Sequence, residues 1–295
     1  MHYAKAGSGP RLIIFLHGFP QCWWSWRHQL ARFMGDDTPG ALSQRFTAIA
    51  PDLRGYNETD RPNWGYNLDT LADDIAALIH ELGFQQAVVA GHDWGGGIAW
   101  WLAIRHPHLV ERLVILNSPH PAVLVKAIGR NWQQTMRSWY MLFFQLPWLP
   151  EAAISANNYA AIEQMMRGSA RRPEAFTDED ITIYKQSIAK PGALSAAIAY
   201  YREQFGVTAR GLPPDHELRV DMPVLLIWGE DDVALGKELT YPTGRYAPLL
   251  TIRYVPRCSH WVHEEQPDLV SDEIIAFLLP EGASTSATFS EPTIS

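Results

Sequence analysis

Three short apolar runs, residues 12–16 (LIIFL), 46–50 (FTAIA) and 87–90 (AVVA), each break off into Gly, Pro, His or Asp, with longer segments between them. Such runs read as strands, and strands alternating with helical segments build a mostly parallel sheet flanked by helices. Between the second and third runs, apolar residues recur at Leu71, Ile75, Leu78 and Leu82, the spacing of an amphipathic helix over 68–82. Further strands are expected at 113–116, 224–228 (VLLIW) and 250–255, and a closing helix at 268–279, with Pro267 at a first-turn position. In open α/β sheets chemistry collects at the carboxyl ends of strands, which is where the polar residues stand here.

Residues 120–214 show no convincing strand but several helical segments rich in Trp, Tyr, Phe, Met and Ala. The expected organisation is an α/β core over 1–119, an inserted all-helical cap over 120–214 and the rest of the core over 215–281. The stretch 282–295 is small, polar and aperiodic, and is expected to be a disordered tail. A chain of 295 residues suits one large α/β domain with an inserted lobe.

Charge and composition narrow the partners. Lys plus Arg number 24 against 32 Asp plus Glu, a net charge of -8, whereas phosphate-backbone binding calls for a basic surplus on one face. Nucleic acid is therefore not an expected partner. No apolar run approaches the roughly 20 residues of a membrane helix, so no membrane is expected either. The first residues, MHYAKAGSGP, lack a basic region followed by an apolar stretch, which makes a cytoplasmic location the expectation. Cys22 and Cys258 lie outside any metal-ligand spacing and read as reduced packing residues, so neither metal nor cofactor is expected.

Gly91-His92-Asp93-Trp94-Gly95 follows the strand AVVA and precedes a helix-like run over 98–104. This has the spacing of the nucleophile elbow G-x-S-x-G, in which small flanking residues let a tight turn push the central side chain out over the sheet. The central residue here is Asp93, already ionised at neutral pH, with a helix N-terminus behind it that favours negative charge. Such a carboxylate can attack an sp3 carbon and form an ester that a second step must hydrolyse. A helix-capping Asp is the competing reading. His260, in Ser259-His260-Trp261 after a later strand, would lie at the same sheet edge and is suited to take a proton from water. Asp232, in Gly229-Glu230-Asp231-Asp232 after VLLIW, offers a carboxylate to orient it, with Asp231, His92 and His263 as decoys. His17-Gly18-Phe19-Pro20 follows the first core strand, and the amides of Phe19 and Trp94 are placed to stabilise an oxyanion.

The blocks HGFPQCWWSWRHQL, PDLRGYNETDRP, GHDWGG, LNSPHP, WYMLFFQLP, AYYRE, LLIWGEDDVALG and CSHWVHEEQP resemble, in order, those of the α/β-hydrolase-fold epoxide hydrolases, from about Gly7 to Leu279. The resemblance implies that fold, with Asp93 as nucleophile, Asp232 as charge-relay acid, His260 as general base, and Tyr140 and Tyr201 as the two cap phenols that hydrogen-bond the epoxide oxygen. It implies a small-molecule epoxide and water as the reactants, with Phe19, Trp94, Phe144 and Trp261 around the substrate. Helix spacing places Tyr140 with Phe143 and Phe144, and Tyr201 with Leu194, Ala197 and Ile198, whereas Tyr200 falls nearer Glu203 and Gln204. That favours Tyr201 as the inward one. The competing reading for both is a packed aromatic whose hydroxyl finds a backbone partner.

Three departures from the family stand out. Asn57 occupies a usual Gly position in RGYNETD, where Asn tolerates a left-handed backbone; the loop around residues 35–44 is longer than usual; and the chain begins where the family's second strand begins. Haloalkane dehalogenase is the rival reading, because it uses the same Asp, His and acid, with halide held by the Trp after the nucleophile and a second donor. Trp94 is present, but the HGxP turn offers Phe19. Fluoroacetate dehalogenases carry a His-Trp pair where Trp139-Tyr140 stands and an Arg after the nucleophile, neither of which is found here. The alternative from another class is a hydrolase fold kept only to bind a ligand.

Overall fold

Leu12, Ile14 and Leu16 of one strand bury into the packing on one side of a sheet, and Ile13 and Phe15 of the same strand into the packing on the other. This burial on both faces is what a parallel sheet covered by helices requires. The computed structural model describes residues 1–34, 40–208 and 212–279. Among the described residues seven strands form one sheet: β1 (Tyr3–Ala6), β2 (Arg11–Leu16), β3 (Phe46–Pro51), β4 (Ala87–His92), β5 (Val110–Leu116), β6 (Val224–Gly229) and β7 (Leu250–Val255). Their order is β1-β3-β2-β4-β5-β6-β7, with β1 antiparallel to β3 and every other pair parallel.

The chain therefore reverses its direction of travel across the sheet between β2 and β4. A crevice opens at the carboxyl ends of two strands where the connections diverge, the usual ligand position in this architecture. His17 to Phe19 follow β2 and Asp93 follows β4, so the turn and the elbow read from the sequence meet at that crevice.

The helices are α1 (Arg27–Ala31), α2 (Leu42–Arg45), α3 (Leu68–Glu81), α4 (Trp94–Arg105), α5 (Pro121–Ala127), α6 (Trp132–Arg137), α7 (Trp139–Phe143), α8 (Leu149–Ser169), α9 (Asp178–Ala189), α10 (Ala193–Thr208), α11 (Val262–Glu265) and α12 (Pro267–Leu278). Leu71, Ile75 and Leu78 are buried along α3, and Asn67 caps it by accepting from the Thr70 amide. Pro267 stands in the first turn of α12, as its missing amide hydrogen allows. Helices α5 to α10 all fall between β5 and β6, and no strand interrupts them among the described residues. α8 is broken at residues 156–159, where the backbone leaves helical geometry.

β1 is an addition to the strands read from sequence. Only Ala6 of its four residues is buried, as suits a short edge strand that carries little apolar signal. Asn57 has a φ of 41°, so it takes the left-handed conformation its position demands. The tail at 282–295 and residues 35–39 of the 35–44 loop lie outside the described residues. Among the described residues no helix is long and apolar enough to cross a membrane.

The elbow depends on the absence of side chains around it. A methyl group at Gly95 would overlap the Leu16 carbonyl, and one at Gly91 would overlap the Gly95 carbonyl, so α4 seats on β2 and β4 at backbone contact. Gly95→Ala should accordingly cost about 3 kcal/mol of stability through overpacking. A urea titration with an unshifted midpoint would show instead that α4 can move away from the sheet.

Candidate active site

Asp93 sits between β4 and α4 with φ 51° and ψ -120°, outside the favoured regions for a residue with a Cβ. The strain is held by its surroundings. The Asp93 amide donates to the Leu116 carbonyl, the Gly97 amide closes the first turn of α4 on the Asp93 carbonyl, and the Ser118 hydroxyl donates to that same carbonyl at 2.8 Å. The Asp93 side chain makes no capping bond to its own helix, so it is not a simple N-cap. Oδ1 instead accepts from the Phe19 amide at 3.0 Å, across the turn after β2.

Oδ2 of Asp93 lies 3.5 Å from Nε2 of His260, and Nδ1 of His260 lies 2.7 Å from Oδ2 of Asp232. The carboxylate of Asp232 is fully engaged: Oδ1 accepts from the amides of Ala234 and Leu235, and Oδ2 from the Asn117 carboxamide at 2.8 Å. Asp231, the neighbouring decoy, turns away to pair with Arg171 at 2.8 Å. His92 and His263 are buried behind His260. His92 Nε2 lies 2.9 Å from the His260 carbonyl, and burial pushes the His92 pKa down to about 3.

Burial alone would make His260 a weaker base, but the Asp232 and Asp93 carboxylates on either side overturn this and raise its pKa to about 10. Both carboxylates are in turn held below their ordinary values, because His260 outweighs the opposing effect of burial. The resting arrangement is thus an imidazolium between two carboxylates.

Tyr140 on α7 and Tyr201 on α10 line the same cavities as Asp93. Burial, reinforced by the nearby Asp93 charge, pushes both phenols well above their ordinary pKa, so they stay protonated and remain donors. Hydrogen bonding from the Trp94 side chain acts against this at Tyr201. The backbone-partner alternative describes other tyrosines instead: Tyr200 donates to the Arg54 carbonyl at 2.7 Å and Tyr66 to the Pro62 carbonyl at 2.5 Å. One correction follows for α10. Tyr200 is not turned outward but is fully buried against Tyr56 and Tyr66, so both faces of this helix are covered and spacing alone does not separate the two residues.

Two cavities meet at Asp93, Tyr140 and Tyr201. One, about 330 Å³, is lined by Trp94, Trp101, Leu124, Ile128, Met141 and Leu235 among others. The second, about 370 Å³, is lined by Phe19, Arg137, Phe144, Gln164, His260 and Trp261 among others. All four aromatic residues expected around the substrate therefore border a cavity, Trp94 in the first and Phe19, Phe144 and Trp261 in the second. Among the described residues no three His, Cys, Asp or Glu side chains are grouped so as to hold a metal ion.

Asn117 and Ser118 stand in the LNSPHP block, which assigns neither a role. Asn117, with a φ of 40°, clamps the end of β6 through both its amide and carbonyl groups while it donates to Asp232. The available signal was an Asn at a strand end, a residue type able to turn left-handed and donate from its side chain.

Residues 11–267 match the family model described as alpha/beta hydrolase fold. Epoxide hydrolase 4 of Homo sapiens is 38% identical over 288 residues, covering 95% of this chain and 76% of that protein. The AB hydrolase superfamily protein YfhM of Bacillus subtilis is 36% identical over 282 residues, with 94% of each covered. In structure, the epoxide hydrolase of Bacillus megaterium crystallised with an inhibitor superimposes with a TM-score of 0.83 at 30% identity, covering 94% of this chain and 96% of that one. The chain belongs to the α/β-hydrolase-fold family and, within it, to the epoxide hydrolases. It is an enzyme of the hydrolase class.

His260, with its folded pKa raised from 6.5 to about 10, contributes stability that is complete below pH 6.5 and is lost as the pH rises through 10. Asp93→Ala removes one of the two carboxylates responsible. The His260 imidazole should then titrate at a lower pH in the variant than in the wild type, as followed by histidine-resolved NMR. Equal titration midpoints would show that Asp232 alone sets the value.

Proposed function

We propose that the enzyme converts epoxides to vicinal diols through a covalent ester on Asp93. The observation that carries this reading is the convergence, at one junction of two apolar cavities, of an ionised Asp93 with two protonated phenols. A carboxylate supplies the nucleophile, and the phenols supply what ring opening needs most, donors for the oxygen as it takes on charge.

The proposed steps consume one epoxide and one water. Asp93 attacks a ring carbon, the carbon–oxygen bond breaks, and the oxygen leaves with the electron pair and takes a proton from Tyr140 or Tyr201. Esterification removes the Asp93 charge, one of the two that hold the proton on His260, so the imidazolium becomes more acidic. Its proton restores the phenol, leaving neutral His260 next to the ester. His260, oriented by Asp232, then takes a proton from water as that water attacks the ester carbonyl. The amides of Phe19 and Trp94 stabilise the oxyanion; on collapse the ester carbon–oxygen bond breaks, the leaving alkoxide takes the proton from the His260 imidazolium, and the new Asp93 carboxyl returns its proton to His260, so the diol leaves with Asp93 again a carboxylate.

The dehalogenase reading is less well supported by the same surroundings. The turn after β2 offers apolar Phe19 where a second halide donor would be needed.

Styrene oxide, a phenyl glycidyl ether, an aliphatic epoxide and a bromoalkane separate the readings by product analysis. Diol from the epoxides, absent with Asp93→Ala, is expected, together with no halide from the bromoalkane; halide without diol would overturn the proposal. His260→Gln should still alkylate but fail to hydrolyse, so that an adduct of the substrate's mass persists on the intact protein. Equal loss of both steps would remove the base from its role. In Tyr140→Phe/Tyr201→Phe, ring opening should fall by at least about 100-fold, the scale of a lost oxyanion donor. Unaltered turnover in that variant would sink the tyrosine assignment.

A further inference from the structure

A buried carboxylate stands behind the His260 loop with no task in the reaction scheme. Glu265, the last residue of α11, is 3% exposed, and among the described residues no guanidinium or ammonium group pairs with its carboxylate. A charge so placed is tolerated only when its oxygens are filled with donors. Four fill them, and they come from two places. Oε1 accepts from the Ser259 amide at 3.1 Å and from the Ser259 hydroxyl, while Oε2 accepts from the amides of Arg171 and Arg172, each at 3.0 Å.

Ser259 immediately precedes His260, and Arg171 and Arg172 form the corner that follows α8. Two more bonds reach the same corner: the Trp261 indole donates to the Ser169 hydroxyl at 2.9 Å, and Arg171 donates to Asp231 at 2.8 Å. The residues on both sides of His260, and the one before Asp232, are thus tied to residues 169–172. The carboxylate of the adjacent Glu264 faces elsewhere, accepting from Arg27, Gln21 and Tyr184.

We propose that Glu265 is a positioning residue for the hydrolytic step: by bridging Ser259 to the Arg171–Arg172 backbone it holds His260 within reach of both Asp93 and Asp232. Alkylation is placed differently. Asp93 is fixed by the β4–α4 turn and the Phe19 amide, and Tyr140 and Tyr201 stand on α7 and α10, with none of their hydrogen bonds made to residues 169–172. Loosening the bridge should therefore slow water activation and spare ring opening.

The kinetic part of this inference rests on the epoxide-hydrolase reading; the positional part rests on geometry alone. Glu265→Gln keeps the shape but presents an NH2 group to one pair of N–H and O–H donors, which opens one arm of the bridge. In single turnovers with styrene oxide, alkylation should stay within about two-fold of wild type, as for a distant independent site. Hydrolysis should slow by about 10- to 100-fold, the effect of misplacing a catalytic group by an ångström or less, so that the ester accumulates on intact-mass spectra. In the enzyme without substrate, the His260 titration followed by NMR should shift down by at least about one pH unit as its contact with Asp232 loosens.

Parallel slowing of both steps, or neither step slowed with the titration unmoved, would overturn the proposal. If Glu265→Gln does not fold, Ser259→Ala, which removes only the hydroxyl donor of one arm, decides by the same two readouts: a smaller ester build-up and titration shift support the bridge, and wild-type values refute it. Should the wild-type enzyme form no ester from any epoxide, the functional reading fails, while the His260 titration still tests the positioning.

Discussion

Everything at this site hangs on one improbable turn of backbone. Asp93 is held at positive φ between a buried strand and a buried helix, and that conformation lifts its carboxylate over the sheet edge. The turn persists because glycines at positions 91 and 95 let three backbones touch, and because the carbonyl of Leu116 and the hydroxyl of Ser118 fix its peptide groups. The strain is small beside the many buried apolar contacts of β2, β4 and α4, which pin both ends of the segment. A rigid scaffold is thus the precondition for the reactive geometry.

Once the carboxylate is in place, its charge organises the neighbours. His260 carries its proton because two anions flank it, and the two phenols keep theirs because they are buried near the same charge. Asp93, His260 and the two phenols are therefore not independent parts. Neutralising Asp93, as ester formation would, changes the basicity of His260 and the acidity of both tyrosines at once, a coupling that a list of residues does not reveal.

The sheet was legible in the sequence because its central strands are apolar on both faces and end in turn-forming residues, a pattern no helix of that length would need. β1 was not, since a four-residue edge strand with one buried side chain, YAKA, leaves no periodic trace. The elbow at Asp93 and the approach of His260 and Asp232 to it were legible by spacing and by their positions after strands. The choice of Tyr201 over Tyr200 rested on the family resemblance, and the helix faces offered beside it do not decide it: α10 is covered on both sides, and what separates the two residues is that the Arg54 carbonyl takes the hydroxyl of one. The contacts of Asn117 and Glu265 were not legible for a related reason. Each acts through backbone groups far away in sequence, and such partners are set by tertiary contact, not by local pattern.

The two cavities that join at Asp93 give the site an approximate left–right balance about that carboxylate. On the epoxide reading, a substrate with an arm on each ring carbon can enter in two orientations, exchanging which arm lies beside Trp101 and Leu124 and which beside Phe144 and Trp261. Each orientation offers a different ring carbon to the same carboxylate. Regiochemistry then becomes a partition between lobes of similar size, decided by small differences in fit far from the reacting atoms, while the chemical groups at the junction stay indifferent to the outcome.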